Sequence, residues 1–186
     1  MKSENKKDIY KANNYTFKPC LFLDRDGVII EDCHYIKDPE KVKLCPGIIQ
    51  LIEIANKLEW YVVVITNQSG IHRGLISWDQ YRTINSKMIK LLGKNALISA
   101  IYANGSNPKS GINSWRKPSP LMLLDAAETL NINLKESIII GDRLSDLVAG
   151  KQAGLRKLCH VFTGHGESEL QNIIQEFKIS SSIQNP

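Results

Sequence analysis

The sequence predicts an α/β fold: a parallel β-sheet covered by helices on both faces. The first observation is a series of short, uninterrupted apolar runs at residues 20–23, 61–65 and 138–140, the pattern of strands buried on both sides. The second is the alternation of such runs with stretches of helical spacing, which builds parallel rather than antiparallel sheets. The third is that acidic, glycine and hydroxyl residues cluster just after the runs. Open α/β sheets bind their ligands beyond those strand ends.

The elements follow in order. Residues 1–18 are Lys- and Asn-rich and read as a mobile N-terminal arm, with Tyr10, Tyr15 and Phe17 as its docking residues if it docks at all. Residues 19–186 then form a single domain. Its first strand is 20–23, ending at Asp24. Pro46 suits a first helical turn, and Ile48, Leu51, Ile52, Ala55 and Leu58 repeat at helical spacing. Residues 61–65 are β-branched and form the next strand. Ser77 is an N-cap for a helix running to Leu92 and stopped by Gly93. A third strand is expected at 97–102, a polar loop at 104–115, and a helix at 118–130. Strand 137–140, helix 144–153 closed by Gly154, strand 157–162 and a last helix at 167–177 complete the chain. No internal repeat and no linker interrupts it.

A length of 186 residues favours one domain, and 42% hydrophobic residues suffice for a sizeable core. The formal charge of +5 suits an anionic small-molecule substrate and is compatible with nucleic acid; it equally suits plain solubility. The four cysteines, Cys20, Cys33, Cys45 and Cys159, are scattered, which excludes a C-x-x-C zinc knuckle and argues against a disulfide scaffold. No apolar run reaches the roughly 18 residues of a membrane helix. The first residues lack the apolar centre of a signal peptide. A soluble, cytoplasmic, monomeric protein is expected, with neither membrane nor nucleic acid as its partner.

The strand ends carry the chemistry. Asp24-Arg25-Asp26-Gly27 follows the first strand, Thr66-Asn67-Gln68-Ser69-Gly70 the second, and Gly141-Asp142 the fourth; Arg116-Lys117-Pro118 opens the helix between the third and fourth. Phosphoryl transfer needs such a set. A carboxylate (Asp24) attacks phosphorus and forms an aspartyl-phosphate. A hard cation held by Asp24 and Asp142 offsets the gathered negative charge. Thr66, backbone N–H groups near Asn67, and Lys117 can bind the phosphoryl oxygens. Asp26 lies on the same side of an extended chain as Asp24 and can act as general acid and base. Gly27 permits the sharp exit that keeps both carboxylates in one pocket. Singly, each motif also fits a turn, a calcium-type loop or an ordinary helix start. Their joint order and placement are far more specific.

The stretches FLDRDGVI, VVVITNQSGIHRG, RKPSPLMLL and IIIGDRLSD resemble the four motifs of the haloacid dehalogenase superfamily phosphatases. More narrowly they resemble its branch of heptose 1,7-bisphosphate and histidinol-phosphate phosphatases, over residues 20–164. The resemblance implies a three-layer, Rossmann-like, capless domain with an open pocket. It implies Asp24 as nucleophile, Asp26 as acid/base, and Thr66 and Lys117 as stabilisers of the transferring group. Mg²⁺ would be held by Asp24, Asp142 and the backbone carbonyl of Asp26. Asp32, Cys33, His34 and Tyr35 would line the sugar site with Asn67, Gln68 and Ser69. Arg116 would take a remote phosphate. Arg143 stands where the family often has a substrate-contacting lysine, and Arg73 is a further cation at the mouth. Asp146 would orient Lys117 or the metal shell. The substrate implied is a phosphorylated sugar, most closely heptose 1,7-bisphosphate.

The chain departs from that branch at 104–115, where many members carry Cys and His ligands for zinc. Here there are none, so no structural zinc is expected and Trp115 is expected to order the loop by packing. Of the remaining histidines, His72, His160 and His165 read as surface or strand positions, with the pocket rim as the alternative for His165, which stands between two glycines. A histidinol-phosphate phosphatase, a polynucleotide 3'-phosphatase and a non-catalytic binding subunit are the competing readings.

Overall fold

A computed structural model of the chain describes residues 5–10, 16–107, 114–161 and 171–175. Six strands form one sheet: β1 (Asn5–Ile9), β2 (Cys20–Leu23), β3 (Tyr61–Asn67), β4 (Ala100–Asn104), β5 (Ile138–Gly141) and β6 (Lys157–His160). Their order is β1-β4-β3-β2-β5-β6. All neighbours run parallel except β1, which is antiparallel to β4. From β2 the chain winds outward through β3 to β4, then crosses to the other side of β2 for β5 and β6. That reversal opens a crevice beyond the end of β2, where Asp24 stands.

Successive strand residues enter opposite layers. Leu21, Leu23, Val62 and Val64 pack with Leu51 and Ile52 of α1 (Ile48–Lys57) and with Tyr81, Ile84 and Met88 of α3 (Trp78–Leu92). Phe22, Val63 and Ile65 pack with Met122 and Ala126 of α4 (Leu121–Leu130) and Ala149 and Ala153 of α5 (Leu144–Ala153). The result is the expected three-layer α/β sandwich. Between β2 and α1 only a single 3-10 turn, Pro39–Lys41, interrupts the loop. No helix among the described residues is long and apolar enough to cross a membrane.

Several elements fall where the sequence places them. Ser77 caps α3 by accepting from the Gln80 N–H, and Gln80 returns the bond to the Ser77 N–H. Others differ. Part of the arm expected to be mobile is strand β1, registered from Asn5 opposite Asn104 to Ile9 opposite Ala100. It gains ladder hydrogen bonds at the sheet edge, and Lys7 reaches Asp125 of α4 at 3.1 Å. Tyr15 lies outside the described residues. The strand expected at 97–102 starts later, at Ala100. Asn56 holds Leu97 outside the ladder, accepting from its N–H at 2.7 Å and donating to its carbonyl at 3.1 Å. Helix α4 begins at Leu121 rather than 118, after a turn in which the Ser119 N–H donates to the Arg116 carbonyl. A four-residue helix, α2 (Ser69–His72), follows β3. Residues 171–175 are helical; the strand expected at 157–162 ends at His160, short of Val161, while residue 162, the rest of the helix expected at 167–177, and His165 lie outside the described residues.

Candidate active site

A cavity of about 430 Å³ opens over the ends of β2 and β3. Its floor is built around Asp24. The Asp24 N–H still belongs to the sheet, donating to the Ile140 carbonyl at 3.0 Å. Its Oδ1 accepts from the Arg25 N–H at 2.7 Å and lies 3.0 Å from Lys117 Nζ. Lys117 is 3% exposed. Its ammonium also donates to the Ile65 carbonyl at 2.6 Å and pairs with Asp146 Oδ1 at 2.7 Å. Burial pulls the Lys117 pKa down, but Asp24 and Asp146 outweigh it, so the net shift is upward and the amine stays charged.

Asp24 is pushed up to about 7. Burial is the main cause; Lys117 opposes it, and Asp146, Asp26 and Asp142 add to it. A carboxyl this reluctant to ionise needs further positive charge beside it to act as a nucleophile.

Asp146 is fully buried at the first turn of α5, and Gly141 makes room for it. A Cβ at position 141 would lie 2.2 Å from Asp146 Cβ and 2.5 Å from its Oδ2. With Oδ1 on Lys117, Oδ2 accepts from the Arg143 N–H at 3.0 Å. Asp142 does not line the cavity itself. One carboxylate oxygen from each of Asp24, Asp142 and Asp146 falls within 4.8 Å of the others. All-oxygen, carboxylate-rich donors fit a hard divalent cation such as Mg²⁺. Asp24, Asp142 and Asp146 together supply the carboxylate oxygens of that cluster.

Asp26 also lines the cavity. Its Oδ2 accepts from Gln68 Nε2 at 2.8 Å, and the same nitrogen donates to Thr66 Oγ1 at 2.8 Å. Gly27, with φ 85°, turns the chain away directly afterwards, and its N–H closes on the Ile30 carbonyl at 2.7 Å. Nothing in the local sequence marks Arg25 for a role. It is 2% exposed and grips the Asp26 carboxylate with two nitrogens.

The mouth carries the cations. Arg116 is half-buried, and its Nη1 has no hydrogen-bond partner among the described residues. Burial and the neighbouring Arg73 and Arg143 pull its pKa below the ordinary value. Arg143 Nη2 lies 3.3 Å from Asp32 Oδ2, and Arg73 Nη1 donates to the Tyr35 hydroxyl at 2.8 Å. Asp32, His34 and Tyr35 line the cavity; Arg73 does not. Cys33, expected among the sugar-lining residues, does not line it and is exposed. His34 and Tyr35 adopt left-handed φ values of 45° and 57°, and Asp32 Oδ1 accepts from the His34 N–H at 3.0 Å. This coil turns residues 32, 34 and 35 inward and leaves 33 outside.

Gln68 and Ser69 line the cavity. Asn67 also reaches it, but its amide serves a different purpose from the expected sugar contact. Nδ2 donates to the Lys117 carbonyl at 3.1 Å and Oδ1 accepts from the Lys117 N–H at 3.0 Å, clamping the Lys117-Pro118 segment, whose peptide bond is cis. The loop after β4 is tied at both ends. Trp115 packs on Tyr102 at 5.5 Å between ring centres. A polar cluster unforeseen from sequence adds to this. Asn104 Nδ2 donates to Asn5 Oδ1 and Ser106 Oγ, both at 2.8 Å, and Ser114 Oγ accepts from the Arg116 N–H at 3.1 Å. Ser106 Oγ lies 3.1 Å from Ser114 Oγ, so β1 is linked through Asn104 and Ser106 to the hydroxyl that holds the Arg116 N–H.

Comparison with known proteins agrees with this arrangement. Residues 114–182 match the HAD-hydrolase-like family model. With the relatives that follow, this match makes the chain a haloacid dehalogenase-like hydrolase, with the α/β sheet and strand-end acids described above. A D-glycero-beta-D-manno-heptose-1,7-bisphosphate 7-phosphatase of Mesorhizobium japonicum is 38% identical over 144 residues, 74% of this chain and 66% of that protein. The enzyme of the same name from Rhodopseudomonas palustris is 37% identical over 145 residues, 74% of this chain and 81% of that protein. The solved D,D-heptose 1,7-bisphosphate phosphatase of B. bronchiseptica, complexed with magnesium and phosphate, superposes with a TM-score of 0.72 at 28% identity, covering 85% of this chain and 99% of that one. Within the superfamily, the chain belongs to the heptose-1,7-bisphosphate 7-phosphatase family.

Proposed function

We propose that this protein is a Mg²⁺-dependent phosphatase that removes the 7-phosphate of D-glycero-D-manno-heptose 1,7-bisphosphate and leaves the heptose 1-phosphate. The observation that carries this reading is the division of charge within one cavity. Buried Asp24 and Lys117 form a reaction floor, while Arg116, with Arg73 and Arg143 close by, gathers positive charge for a second anion at the mouth. A substrate with a phosphate at each end fits that division, and family membership supports the sugar.

The chemistry follows from the residues. Asp24 attacks phosphorus, and the bond from phosphorus to the C7 oxygen breaks. Asp26 gives its proton to that oxygen, which leaves as the C7 hydroxyl. Asp26, now a carboxylate, takes a proton from an incoming water as the water oxygen bonds to phosphorus. The Asp24–phosphorus bond breaks, and inorganic phosphate departs. Lys117, fixed by Asp146 and the Ile65 carbonyl, places its charge beside Asp24 without needing to move. Thr66 and Ser69 line the wall where the phosphoryl oxygens would lie. A divalent cation held by Asp24 and Asp142 supplies the extra positive charge that the nucleophile and phosphate need together.

Phosphate release from a panel tests the substrate: both anomers of the heptose 1,7-bisphosphate, the 7-phosphate alone, histidinol phosphate and a 3'-phosphorylated oligonucleotide. The bisphosphate should be preferred. Arg116→Ala should raise its KM about 10-fold or more while changing the KM for the 7-phosphate little. Equal KM changes for the two sugars would remove the second-anion assignment. Preference for histidinol phosphate or the oligonucleotide would replace the substrate.

The Asp24 shift gives a pH prediction. With a folded pKa near 7 against an ordinary 3.8, Asp24 holds a proton in the metal-free fold that the unfolded chain has released. Its contribution to stability therefore falls as pH rises from about 4 to about 7. Mg²⁺ competes with that proton. Apparent Mg²⁺ affinity should rise with pH, by up to about tenfold per unit below 7, and level off above it. Calorimetric titration at about pH 6 and about pH 8 reads this directly; equal affinities at both would contradict it.

A further inference from the structure

Arg25 brings a charge into the core of the sheet's helical layer. Its guanidinium is used on three sides. Nε and Nη2 donate to Asp26 Oδ1 at 3.3 and 3.0 Å, and Nη2 also reaches Oδ2 at 3.0 Å. Nη1 donates to Asn85 Oδ1 at 3.0 Å. The third side is the Tyr81 ring, 5.1 Å from the guanidinium carbon. Burial pushes the Tyr81 hydroxyl well up, so the ring offers a neutral π-face to the cation.

Tyr81 and Asn85 sit four residues apart on α3, in a buried stripe that otherwise holds Ile84, Met88 and Leu92. A buried polar residue in such a stripe is costly unless it serves a partner. A buried ion pair is also a poor source of stability, since apolar residues of similar volume usually do as well. Stability alone therefore does not account for this assembly. One end of it differs from the rest. The Asp26 side chain is 24% exposed, into the cavity, whereas Arg25 is 2% exposed. The assembly ties α3 to a single carboxylate in the reaction space. On the other flank Gln68 holds the same carboxylate to the tip of β3.

We infer that Arg25 and Asn85, with Tyr81 beneath them, are positioning residues that fix the direction of the Asp26 carboxyl. This rests on the reading of Asp26 as acid and base given above. That reading asks one carboxyl to face the leaving oxygen and then the attacking water. A carboxyl free to rotate would meet each only part of the time. Gripped by Arg25 and Gln68, it presents the same edge to both.

A double-mutant cycle on the best substrate of the panel tests the inference. Asn85→Ala should lower kcat about 10- to 100-fold with KM within about twofold. In an Asp26→Asn background the same change should cost nothing further, because the residue it acts through is gone. Asn85→Asp keeps an acceptor oxygen for Arg25 Nη1 and should restore most of the turnover. Thermal melts of each variant separate a folding defect from this effect. A loss of kcat of equal size in both backgrounds, or a lowered melting temperature with unchanged kcat, would overturn the inference. Wild-type turnover by Asp26→Asn alone would remove the acid/base reading beneath it.

Discussion

Asp24→Asn should abolish phosphate release, by at least about 10⁴-fold in kcat, and leave the protein folded. The amide has the shape of the carboxyl but cannot attack phosphorus. Lys117 keeps Asp146 at 2.7 Å and the Ile65 carbonyl at 2.6 Å, so the buried ammonium does not lose all its partners. The substitution also removes a group that ionises reluctantly where it stands. Thermal melts of the metal-free protein should therefore lose part of their fall between about pH 4 and pH 7. Turnover within tenfold of wild type would end the case for Asp24 as nucleophile.

Gly141→Ala should have the next largest effect, though position 141 touches no substrate. A methyl group there meets Asp146 at its Cβ, 2.2 Å away, so rotating the carboxyl does not relieve the clash. Either β5 and α5 separate or Asp146 leaves its place. In the second case the Arg143 N–H loses its cap and Lys117 loses one of its two counter-charges. Breaking a buried ion pair in this way costs about 3 kcal/mol or more, and a displaced Lys117 should lower kcat about 100-fold or more. Melting temperature and turnover measured together check both. A stable variant with wild-type kcat would show that Lys117 does not depend on Asp146.

The parts of this molecule legible in its sequence are those written in local pattern. The apolar runs of β2, β3 and β5 need burial on both faces, so their identity is in their composition. Helix α3 carries its own cap at Ser77 and its stop at Gly93, and α5 closes on Gly154. The strand-tip acids were legible because the topology puts every parallel strand's end on one rim. Strand β1, NKKDI, was not, because an edge strand takes its stability from backbone pairing and this one buries little. The Arg25 assembly was not legible either, since Asn85 lies 60 residues away in sequence. An asparagine in the apolar stripe of α3 was the one signal available, and it names no partner by itself. Asn67 reads as a pocket residue by position; only the fold shows that its amide is occupied by the Lys117 backbone. Cys33 was misplaced because left-handed conformations at His34 and Tyr35 are not marked by glycine.

The most direct test of the central claim is to trap the phosphoryl group on the enzyme. The protein is mixed with Mg²⁺ and the preferred substrate, quenched in acid during turnover, reduced with borohydride and digested for mass spectrometry. Reduction of an aspartyl-phosphate converts that side chain to homoserine. The account predicts the conversion at position 24, dependent on substrate and absent from Asp24→Asn. Conversion at another carboxylate, or phosphate release in full turnover with position 24 never modified, would contradict it.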